Sequence, residues 1–64
     1  MLHEYDVVVL KKPLPGTAVP ASSKGTIVHV HDANAQAYIV EFFDRNNKTI
    51  DVCDVVGDEY LELE

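Results

Sequence analysis

Apolar and polar positions alternate most clearly between Gly25 and Asp44. Two runs rich in β-branched and aromatic residues, Gly25-Thr26-Ile27-Val28-His29-Val30-His31 and Ala37-Tyr38-Ile39-Val40-Glu41-Phe42-Phe43, flank a small and polar link from Asp32 to Gln36. This is a β-hairpin signature. Successive side chains of a strand turn to opposite faces. Val28 and Val30 on the first arm, with Tyr38, Val40 and Phe42 on the second, are therefore expected to face inward. A helix from Ala33 to Phe43 is rejected, because it would be apolar almost all round and crowded with β-branched and aromatic residues.

The flanking segments extend the same pattern. Asp6-Val7-Val8-Val9-Leu10 predicts a first strand with Val8 and Leu10 inward. Lys11 to Lys24 carries Pro13, Pro15, Gly16 and Pro20, which rule out a helix or a central strand and predict a long loop. Asp44-Arg45-Asn46-Asn47 predicts a tight turn, with Asn47 able to take a left-handed backbone. Lys48 to Val52 predicts a fourth strand with Ile50 and Val52 inward. Cys53 to Gly57 has room for one short 3₁₀ turn. Tyr60 to Glu64 alternates and predicts a fifth strand with Leu61 and Leu63 inward, although Leu63-Glu64 also matches a cloning remnant. The expected fold is all-β: one small domain over residues 1–64, a five-stranded antiparallel barrel.

Composition narrows the function. A chain of 64 residues buries only about 60% of the surface its unfolded form exposes, so net stability should be about 3–5 kcal/mol. Cys53 is the single cysteine, which rules out an internal disulfide and suits a reducing cytoplasm. No secretory leader or membrane-spanning run is expected from the pattern. Eleven acids against five bases give a formal charge of −6, a poor balance for holding phosphates. Nucleic-acid binding would need Lys11, Lys12, Lys24, Arg45 and Lys48 to converge on one face. A basic protein partner suits the charge better.

Five strands with a long first loop and a turn before the last resemble a Src-homology-3-like barrel. The residues themselves resemble a family of short bacterial proteins catalogued as domain of unknown function 4926. The matching pieces are Tyr5-Asp6-Val7-Val8-Val9-Leu10, Leu14-Pro15, Gly25-Thr26-Ile27-Val28, Tyr38-Ile39-Val40-Glu41-Phe42 with Asp44, and Thr49-Ile50. The family usually has glycine where Asn47 stands, and a more basic or proline-containing ending than Leu61-Glu62-Leu63. It has no established activity, so the resemblance implies architecture and supplies no catalytic residues.

Candidate chemistry is sparse. His29 and His31, two apart on a strand, would share a face and could offer imidazoles to zinc or nickel, with Asp32 or His3 nearby. Two ligands do not complete a site, and they read as surface histidines. Cys53, beside Asp54, reads as a small hydrophobe, because a neighbouring carboxylate disfavours the thiolate. No catalytic residue, cofactor, metal or small-molecule substrate is expected. An apolar surplus is more informative. With the inward set as above, Ile27, Ile39 and Phe43 face out, together with Val7 or Val9. A half-solvated sheet should read polar there. Either sharp coiling buries Ile27 and Ile39, or the face is left for a protein partner or a second copy. Phe43 is the leading anchor, followed by Ile39, Pro13, Pro15 and Tyr60. The expected role is a non-enzymatic protein-interaction module, antitoxin-like or accessory, that binds a basic partner.

Overall fold

A computed structural model describes residues 2–64, Asp58 by its backbone alone; Met1, within the expected domain, lies outside the described residues. Five antiparallel strands form one sheet: β1 (Val7–Leu10), β2 (Lys24–Asp32), β3 (Ala37–Phe43), β4 (Thr49–Val56) and β5 (Leu61–Leu63). Their spatial order is β4-β3-β2-β1-β5, compatible with the expected barrel. A single helical turn, α1 (Gly57–Tyr60), joins β4 to β5. Gly57 N–H donates to the Gln36 carbonyl, and Lys11 N–H donates to the Tyr60 carbonyl. Four residues thus reach from the β2–β3 turn to the end of β1, which draws the two ends of the sheet together.

β3 is the regular element. Tyr38, Val40 and Phe42 are buried, while Ile39, Glu41 and Phe43 on the other face are half-buried. Val8, Leu10 and Leu61 join the core as expected. Gly25 lies opposite both Val8 and Phe42. A Cβ there would stand 2.7 Å from Val40 Cγ1 and 2.9 Å from Phe42 Cδ1, so only glycine lets both side chains fill the centre. Gly57 is similar, since a Cβ there would meet the Tyr38 ring at 2.5 Å.

Four expectations need correction. On β2, Val28, expected inward, is only half-buried, while Val30 packs against the core as expected and Ile27 is fully buried, the outcome the sharp-coiling alternative gave it. The reason is a bulge: Ile27 pairs with Val40 and His29 with Ile39, so Val28 is the extra residue and inward parity shifts from odd to even. On β4, a second slip between Phe42 and Phe43 makes Ile50 the extra residue. Ile50 still packs on the core, but beyond it Cys53 and Val55 point in, and Val52 is 53% exposed. Cys53 to Val56 continues the strand, and the expected 3₁₀ turn is instead one α-type turn at Gly57–Tyr60, closed by Leu61 N–H on the Gly57 carbonyl. Leu63, expected inward, is exposed at the end of a three-residue edge strand.

The long first segment does more than cover an end. Leu14 and Val19 are buried in the core cluster. Thr17 fixes the bend between them, its hydroxyl donating to the Leu14 carbonyl and accepting from Val19 N–H.

Candidate interaction surface

Ladder register places the outward side chains in rows across the sheet. One row runs Thr49, Phe43, Lys24, Val9, Glu62; the next runs Val52, Glu41, Thr26, Val7. A third carries Asp54, Ile39 and His29. Polar neighbours therefore interrupt the apolar residues. Thr49 adds a bond across the face, its hydroxyl donating to the Glu41 carboxylate at 2.7 Å.

An open groove crosses this face, with Val7, Pro20, Phe43 and Ile50 among its apolar lining and Lys24 and Arg45 as its cations. Both walls are tied down locally. The Asp44 carboxylate accepts from Asn46 N–H at 2.8 Å and from Lys48 N–H at 3.0 Å, and Asn47 takes the left-handed conformation expected of it (φ 62°). On the opposite wall, Ser22 N–H donates to the Leu10 carbonyl at 2.7 Å, and the buried Ser23 donates its hydroxyl to the Pro20 carbonyl. A groove between two pinned turns loses little entropy when a ligand enters.

Of the expected contact residues, the groove holds Phe43 alone. Ile39 shares Phe43's face of β3 but lies beyond Glu41, paired with His29 and Asp54. Pro13 and Pro15 are exposed on the first loop. Tyr60 is half-buried in α1 beneath Lys12, whose ammonium lies 4.9 Å from its ring centroid. Sequence reasoning missed Ile50 and Pro20 as groove residues. Ile50 carries no local sign of the bulge that moves it, and Pro20 faces the groove only because Ser22 and Ser23 bond back to β1.

Lys11 and Lys12 adjoin α1, where Lys12 Nζ lies 2.9 Å from Glu59 Oε1. That hydrogen bond lifts the Lys12 pKa above its ordinary 10.5. Lys24 and Arg45 line the groove, Lys48 ends the same turn as Arg45, and Lys24 is neutralised by Glu64 at 2.9 Å. Of the five cations, this groove is lined by Lys24 and Arg45.

His29 and His31 are both exposed, and a slip between Val30 and Asp32 makes His31 an extra residue in the ladder. Among the described residues, no group of three or more His, Cys, Asp or Glu side chains could hold a metal ion. Cys53 is buried, and its thiol pKa is raised first by that burial, then by Asp51 and Asp54. It packs as a small apolar residue. No helix among the described residues is long and apolar enough to cross a membrane.

No curated protein and no solved structure matches the chain. Residues 4–61 do match a family model, across most of the 64-residue length. The chain belongs to the family described as domain of unknown function (DUF4926).

Proposed function

We propose that this protein is a non-enzymatic protein-interaction module of the bacterial cytoplasm, an antitoxin-like or accessory subunit that docks a basic protein partner. The groove carries this reading: Val7, Phe43 and Ile50 stay accessible between two rigid turns on the outer face. Aromatic and aliphatic side chains in a preformed cleft are what protein partners use as anchor sites. The charge of −6 favours encounter with a basic surface over another acidic one. The lone thiol of Cys53 fits a reducing compartment.

The test is co-purification from the native host at physiological salt, with tagged wild type beside Val7→Lys and Phe43→Ser variants of confirmed thermal stability. One basic protein retained by wild type and lost by both variants is the expected result. Recovery of no specific protein by wild type, or equal recovery by all three, overturns the reading.

A further inference from the structure

We propose that the open edge of β4 is a strand-addition site for an extended basic segment of a protein partner. This rests on the interaction-module reading and adds a docking place and the partner's chemistry. Among the described residues the sheet has two edges: β5, of 3 residues, and β4, of 8. From Asp51 to Val56 the β4 ladder with β3 is unbroken. Gly57 N–H donates to the Gln36 carbonyl, which sets its phase. Backbone groups alternate in direction along a strand. Asp51, Cys53 and Val55 therefore turn theirs toward β3, and Val52, Asp54 and Val56 turn theirs to the open edge.

The side chains of those three residues are also solvent-facing. Val52 is 53% exposed, Val56 47%, and the exposed Asp54 lies between them. The Val52 N–H that an incoming carbonyl would take is held at 2.8 Å by the neighbouring Asp51 carboxylate. A long apolar edge is a template for another strand unless charged residues guard it. Here the guards, Asp51 and Asp54, are both acidic. They repel a second copy of this −6 chain and any acidic strand, and they attract a basic one. A docked strand would set apolar residues against Val52 and Val56 and a Lys or Arg against Asp54. Its main-chain bonds would supply affinity, and its alternating side chains specificity.

The test titrates the ¹⁵N-labelled protein with a Val–Lys peptide as long as β4, in which every second residue runs Val, Lys, Val along one face and Thr fills the positions between. Controls are its Val–Glu counterpart and a Val–Lys peptide N-methylated at alternate nitrogens. Shifts and slowed exchange at the Val52, Asp54 and Val56 amides are expected with the Val–Lys peptide, and binding at least about tenfold weaker with either control. Val52→Pro removes an edge donor without breaking the β3–β4 ladder and should abolish binding. Asp54→Lys, which keeps every backbone donor, should weaken the Val–Lys peptide about three- to fivefold and strengthen the Val–Glu one. Shifts confined to Phe43, Lys24 and Arg45 would overturn the edge site and leave the groove reading standing. A lack of response to every peptide would overturn the edge site, with partner capture still deciding the broader role. Protection of the same amides that grows with protein concentration alone would replace the basic partner with a second copy.

Discussion

β3 and the strands on either side of it are built from the same residue types, yet they obey their pattern differently. Along β3, buried and half-buried positions alternate without a break from Ala37 to Phe43. Along β2 and β4 the alternation changes phase, at Val28, at His31 and at Ile50. β3 is paired on both sides from Ala37 to Phe43, so its pleat must match two ladders at once. Among the described residues, by contrast, β2 pairs with β1 only over Lys24–Thr26 and β4 pairs with β3 alone. An extra residue is more easily absorbed in a neighbour that also has to bend, and the bend is what curls the sheet. Core packing therefore converges on the inner face of β3, while the groove draws Val7, Thr26, Phe43 and Ile50 from four strands and the proposed docking edge lies on β4.

The comparison breaks most sharply if the β3 centre is emptied. Phe42→Ala removes a fully buried ring and should cost about 3–5 kcal/mol, comparable to the whole stability expected of so small a domain. Far-ultraviolet circular dichroism at 25 °C should then show a largely unfolded chain. A smaller loss tests how closely β2 packs on β3. Gly25→Ala forces a methyl against Val40 and Phe42 and should lower stability by about 1–3 kcal/mol in urea denaturation. An equally stable variant would mean that β2 can shift away from β3.

Tyr38→Phe probes β3 with the opposite sign. The Tyr38 hydroxyl is buried without a hydrogen-bond partner among the described residues, so removing it should stabilise the fold by about 1 kcal/mol. A destabilised variant would show that the hydroxyl has a partner in solution. The smallest effect is the pH response of Cys53 on β4. Its thiol is held protonated in the folded state, so above the ordinary value of 9.0 the unfolded chain loses this proton first. Stability should then fall as pH rises through this range, and Cys53→Ala should flatten that part of a denaturation-midpoint profile. An unchanged slope would mean that the thiol ionises equally in both states.

The sequence alone determined the all-β class, the hairpin, the inner face of β3 and the left-handed Asn47 turn. Each of these follows from local preferences: β-branched and aromatic content, period-two alternation, and the few residues that tolerate positive φ. It also exposed the apolar surplus and singled out Phe43, one of the residues that line the groove. Tertiary structure alone decided that Ile27 and Val55 are core and that Val52 and Leu63 are exposed. It also decided that Leu14 and Val19 leave the loop to pack inside. A strand's facing is inherited from the register of its neighbour, and one extra residue reverses every position beyond it. Register is a relation between distant segments, which is why the pattern of a single strand could not contain it.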